Sequence, residues 1–157
     1  MGEGQTPETT HGVHESAHDP TGGIPQASVR AALNQLLQSQ GFRSSRRSQD
    51  FLRYVVERTL EGQADALKER TIGIDVFGRS SSYDPSDDAT VRVKAGEVRK
   101  RLGLYYAGEG RLDEIRIDLP HGAYVVYVNV NGEVAKRNAI YKQQLRTPAA
   151  LQVAVGP

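Results

Sequence analysis

The stretch from Thr90 to Leu102, TVRVKAGEVRKRL, constrains the fold more than any other in the chain. Wound as a helix at 100° per residue, it gathers Val91, Ala95, Val98 and Leu102 within about 60° of one another and turns Arg92, Arg99 and Lys100 away from them. One face fits a hydrophobic core and the other can meet an anion. Five basic residues stand here against one acid, in a chain of 157 residues whose formal net charge is only +1. The cations are therefore a local feature. The plain alternative is a solvated charged face, because Lys and Arg are good helix formers.

A helix of this kind needs partners, and the preceding residues supply them. Val29, Ala32, Leu33, Leu36 and Leu37 recur at helical spacing, which predicts a first helix opening at Ala27 or Ser28 and ending near Gly41. Ser44 to Arg47 is a polar, basic joint suited to capping. Phe51, Leu52, Val55, Val56, Thr59 and Leu60 line one face of a second helix over about 47–61, stopped by Gly62. A third, about 67–76, offers Leu67, Ile72, Ile74 and Val76 and breaks before Gly78. Residues 79–88 are dense in Ser, Asp and Pro and read as a loop, with Asp87 or Asp88 placed to cap the basic helix. That helix continues to about Tyr106 and ends at residues 108–111. Ile115, Ile117 and Leu119, and then parts of 124–130, alternate apolar with polar. With Pro120 to Ala123 as the turn, they predict a β-hairpin.

The ends differ from this middle. Residues 1–25 carry Glu3, Glu8, Glu15 and Asp19 with no Lys or Arg, and they have no apolar period. They read as a disordered acidic tail, either solubilising or in competition with a polyanion for the basic body. His11, His14 and His18 cluster there without a supporting carboxylate set, so no metal is expected. Asp84, Asp87 and Asp88 lack the alternation of a calcium loop and fit turn and cap chemistry. Residues 132–157 form an extension in which Val134 to Leu145 could be a short helix, able to pair protomers or dock a protein partner. The chain has no cysteine, no run of 18 apolar residues and no secretory leader pattern, so a cytoplasmic protein without a membrane span is expected.

Three helices, a loop, a basic helix and a hairpin follow the order of a winged helix-turn-helix domain, a mainly α fold with a C-terminal β-hairpin wing. The basic run with Ile115 to Ile117 and His121 to Tyr124 resembles the C-terminal DNA-binding domain of OmpR/PhoB-type response regulators. Leu67 to Arg79, Tyr83 to Pro85 and Val91 to Val93 look more like the N-terminal winged-helix domain of bacterial TPR or TolB-like proteins. The resemblance covers about residues 28–130. It implies a domain over 26–131 whose basic helix enters the major groove of double-stranded DNA while the hairpin tip approaches the minor groove. The four-stranded N-terminal sheet and the receiver domain of the first family have no counterpart, so the resemblance does not extend to aspartyl phosphorylation.

The expected contacts follow from chemistry. Arg92 or Arg99 is placed to read a base, because a guanidinium can grip guanine O6 and N7 with two parallel bonds. Lys94, Lys100 and Arg101 supply charge to phosphates, and Thr90 sits where a helix N-terminus already favours an anion. Val93 could touch a thymine methyl, but packing against the hairpin is the preferred reading. Arg46, Arg47 and Arg79 flank the site, and His121 stands at the hairpin tip where relatives carry Lys or Arg. Gly96 replaces a usual basic residue; it either permits close approach to the backbone or is a tolerated defect. The sequence thus points to a DNA-binding transcriptional regulator, dimeric because one such domain reads a short site. The alternative is a winged-helix module for protein contacts with weak DNA binding. No cofactor is expected, and no P-loop, dinucleotide fingerprint or nucleophilic cysteine suggests an enzyme.

Overall fold

In the computed structural model, residues 19–132 are described; the histidine cluster, most of the acidic tail and the 134–145 segment lie outside them. Five helices precede a two-stranded antiparallel sheet: α1 Gln26–Leu37, α2 Gln40–Arg43, α3 Arg46–Leu60, α4 Glu69–Phe77, α5 Thr90–Ala107, β1 Ile115–Asp118 and β2 Tyr127–Val130. The described part is thus mainly helical with one small hairpin. No helix among these residues is long and apolar enough to cross a membrane.

The apolar stripes meet in one core. Val29, Leu33 and Leu36 of α1, Phe51, Leu52, Val55 and Val56 of α3, Ile72 of α4, and Val91, Ala95 and Val98 of α5 are almost fully buried, with Ile117 and Val126 from the hairpin. Burial of whole Val, Leu and Phe side chains contributes roughly 1.5–3 kcal/mol each, so this cluster carries most of what holds the helices together. Ser45 caps α3 by accepting the Ser48 amide at 3.2 Å. Gly78 takes a left-handed φ of 64° at the end of α4, a conformation that costs glycine little.

Several details depart from expectation. The first helix ends at Leu37, and α2 follows it to insert Phe42 into the core with no exposure. A lone aromatic beside a glycine has no periodic companions, so its burial leaves no pattern in the sequence. Residues 19–25, expected within the disordered tail, form a turn. Asp19 accepts from the Thr21 and Gly23 amides at 2.9 and 2.7 Å, and Ile24 packs on the core. On α4, Ile72 is buried whereas Ile74 and Val76 are only partly so; Phe77 instead stacks on Phe51 with ring centroids 6.3 Å apart.

The hairpin also differs. Its ladder pairs Ile115 with Val130 and Asp118 with Tyr127, so the second strand starts at 127 and the connection runs from 119 to 126. Side chains of neighbouring helices take over that connection. Tyr124 meets Phe51 edge-on at 6.5 Å, and the Val126 amide donates to Thr59 Oγ1 at 3.4 Å. The Thr59 hydroxyl in turn donates to the Val55 carbonyl at 2.7 Å, which joins the loop to α3.

Candidate nucleic-acid interface

Helix α5 divides into four lines around its axis. Val91, Ala95, Val98, Leu102, Tyr105 and Tyr106 face inward and are buried. Opposite them, Val93, Gly96, Lys100 and Leu104 face solvent. Between these lie two flanks, and most of the basic residues sit on them rather than on the outward line.

One flank faces α2 and α3. Lys94 Nζ is 2.7 Å from Glu97 Oε2, and Arg101 Nη2 is 2.9 Å from Glu97 Oε1. Ser48 Oγ adds a bond to Glu97 at 3.3 Å, and Arg101 reaches on to Ser44 Oγ at 3.3 Å and to the Gly41 carbonyl. Hydrogen bonds from Lys94 and Arg101 hold the Glu97 carboxyl below the usual glutamate range. The Lys94 side chain is only 16% exposed. Both ion pairs lie within α5; its fastening to its neighbours runs through Ser48 on Glu97 and through Arg101 on Ser44 and Gly41.

The other flank faces α4 and the hairpin. Arg92 Nη1 donates to Glu69 Oε1 at 2.8 Å and to the Pro85 carbonyl at 2.9 Å, while half of its side chain stays exposed. Arg99 donates through Nε to the Leu119 carbonyl at 3.1 Å and through Nη2 to those of Pro120 and Ala123 at 3.0 Å each. These carbonyls belong to the unpaired connection and need donors from elsewhere. The donors that would grip a guanine are thus committed to the hairpin, and Arg99 stands as a positioning residue.

The N-terminus of α5 is similarly occupied. Ala89, not an aspartate, takes the N-cap position, because its carbonyl accepts the first helical bond, from Val93, at 2.9 Å. Asp88 caps from one residue upstream: its carboxylate accepts from the Thr90 amide at 2.9 Å and from the Thr90 hydroxyl, and these bonds keep its acidity below the ordinary aspartate range. Arg79 Nη2 donates to Thr90 Oγ1 at 2.7 Å, and its Nε lies 3.1 Å from Asp88 Oδ2 in an ion-pair contact without a directed hydrogen bond. An anion here would compete with a resident carboxylate.

Lys100, Arg46, Arg47 and His121 are exposed and have no partner among the described residues. Arg43, at the end of α2, joins them and was not marked by any sequence pattern. Because Arg101 spans to Ser44 and Ser48 bonds Glu97, the N-terminus of α3 with Arg43, Arg46 and Arg47 lies against the middle of α5. His121 sits on the opposite side, sharing a small recess with Arg99, Gly103, Arg116 and Pro120. Val93 is 66% exposed and does not pack on the hairpin, against the preferred sequence reading. The described residues contain no group of three His, Cys, Asp or Glu side chains placed to hold a metal ion.

The chain matches no protein-family model, no curated protein and no solved structure.

Proposed function

We propose that this chain is a sequence-specific DNA-binding transcriptional regulator of the winged helix-turn-helix type, laying α5 in the major groove with the 115–130 hairpin as its wing. The observation that carries the reading is the outward line of α5, from Val93 through Lys100, with unpartnered Arg43, Arg46 and Arg47 on one side and the hairpin tip with His121 on the other. A protruding helix flanked by cations suits a groove walled by two phosphate strands, which lie beside a bound helix rather than beneath it. The internally bonded Arg92, Lys94, Arg99 and Arg101 set the pose of α5 and of the wing. They leave phosphate contact mainly to Arg43, Arg46, Arg47 and Lys100. A single such domain covers a short site, so two copies on paired half-sites are expected.

Duplex binding over a salt series tests this. Four phosphate contacts give a log K against log salt slope of roughly −3.6. A folded protein that shows no duplex binding at low salt, or binding indifferent to salt, would overturn the reading.

A second reading draws on a groove of about 580 Å³ between α2 and the C-terminal half of α5, lined by Gln40, Lys100, Leu104 and Tyr105. With Leu104 67% exposed in it, this groove suits a protein contact. Loss of protein association on Leu104→Asp in a folded protein, with duplex binding indifferent to Arg46→Ala and Arg47→Ala, would favour that module.

A further inference from the structure

Two residues on the outward line of α5 are poor choices for a helix. Valine loses side-chain freedom there and glycine loses backbone freedom, so both disfavour the helix relative to alanine. Packing does not demand either one. Val93 is 66% exposed, and a Cβ added at Gly96 would meet nothing within 4 Å. They lie three residues apart on the same side, one turn before Lys100, on the part of the helix farthest from the core. An apolar branched side chain beside a missing one, ahead of a cation with no partner among the described residues, is a surface shaped for something that comes close and carries a small apolar group.

Resting on the DNA-binding reading above, we propose that Val93 and Gly96 form the base-reading edge of α5, with Lys100 reaching a flanking phosphate, and that Val93 determines specificity by packing on the 5-methyl group of a thymine. In the major groove that methyl is the one apolar feature that a base pair presents, and aliphatic side chains recognise it. The bare Cα of Gly96 lets the helix backbone settle closer to the base edges than any side chain would allow. Lys100 follows Val93 by seven residues, two turns or about 10 Å along the helix. That is the rise of about three base-pair steps at 3.4 Å each. A helix in the major groove is inclined to the duplex axis, so the thymine and the phosphate met by Lys100 lie at most about three pairs apart. Arg99 takes no part in base contact and acts through the hairpin.

The test begins with selection of a preferred duplex from a random pool by the full chain. Each thymine of that duplex is then replaced singly by deoxyuridine, which removes the methyl and keeps the pairing. Loss of one buried carbon is worth a roughly fourfold fall in affinity, and this fall is expected at one position, within about three pairs of the Lys100 contact. Val93→Ser, which replaces the apolar side chain with a polar one, should bind the thymine and deoxyuridine duplexes equally. Gly96→Ala should raise the melting temperature while lowering duplex affinity, a pairing of effects that a merely structural glycine does not produce. If a duplex is selected but no single methyl matters, or if Val93→Ser still discriminates, the Val93 assignment is overturned although DNA binding stands. If no duplex is selected and none is bound at low salt, the DNA-binding reading fails and this assignment fails with it.

Discussion

Arg99 Nη2 donates to the Ala123 carbonyl at 3.0 Å, across 24 residues of chain, and fixes the hairpin connection to the middle of α5. Three carbonyls depend on this one guanidinium. Hydrogen bonds to charged groups are worth roughly 1.5–3 kcal/mol, and the loss of several at one site leaves partly buried acceptors unpaired. Arg99→Ala is expected to destabilise the fold by about 2–4 kcal/mol in urea denaturation, on that scale. Arg99→Lys should recover little of it, because an ammonium lacks the planar fork that reaches three acceptors. A variant as stable as the parent would show that the connection holds its shape without the clamp.

Free cations should behave differently from clamped ones. Arg46→Ala, Arg47→Ala and Lys100→Ala remove exposed side chains without partners among the described residues, so each should leave the unfolding midpoint nearly unchanged, within about 0.5 kcal/mol. Each should reduce the steepness of the salt dependence of duplex binding by about one unit, as one phosphate contact disappears. Arg101→Ala should do the reverse: it breaks the links to Glu97, Ser44 and Gly41 and lowers stability more than it changes the salt slope.

The contrast between these two groups marks how far the sequence alone can be read. The periodicity of Val91, Ala95, Val98 and Leu102 announces a buried face because burial repeats with the helix turn. The stripe of α3 announces itself in the same way. Which cations are free leaves no such trace. Lys94 and Arg101 stand three and four residues from Glu97, a helical spacing that the sequence does show, but Arg92, Arg99 and Arg101 also reach partners 20 to 60 residues away, at Glu69, the 119–123 carbonyls and Gly41. Only the packing of α2, α4 and the hairpin around α5 decides their roles. Val93 departs from expectation for a related reason: an apolar residue in a helix suggests packing, and only the fold shows that the described residues leave it 66% exposed.

Glu97 gives the fold a pH dependence with a definite sign. Its bonds to Lys94 and Arg101 depress its folded-state pKa below the ordinary 4.5. Its contribution to stability is therefore complete above that ordinary value and is lost as pH falls through the lower folded-state value. Asp84 and Asp88 are shifted the same way and add to the acid-side loss. Glu97→Gln should flatten part of the decline in melting temperature below about pH 4.5. At neutral pH it should also tighten non-specific duplex binding, since an anion leaves the middle of α5. An unchanged acid-side decline would show that the Lys94 and Arg101 contacts carry little energy in solution.

Gly73 places the loop that leads into α5. A Cβ there would lie 2.4 Å from Tyr83 Cε1, inside any tolerable contact. The Tyr83 ring is buried, and its hydroxyl donates to the Asp88 carbonyl at 3.0 Å. Gly73→Ala would favour the helical state of α4 by up to about 1 kcal/mol on propensity alone. The ring must nevertheless move, and overpacking of this kind costs typically 1–3 kcal/mol. The balance is expected to be destabilising, with Asp88 and the α5 cap that it forms with Thr90 displaced together. Tyr83→Phe keeps the ring and removes only the hydroxyl, so it should cost less, about 0.5–1.5 kcal/mol for one hydrogen bond. Duplex affinity separates the two variants further, because only Gly73→Ala shifts the start of α5. A stable Gly73→Ala protein with unchanged affinity would mean that the 79–88 loop accommodates the methyl without moving α5.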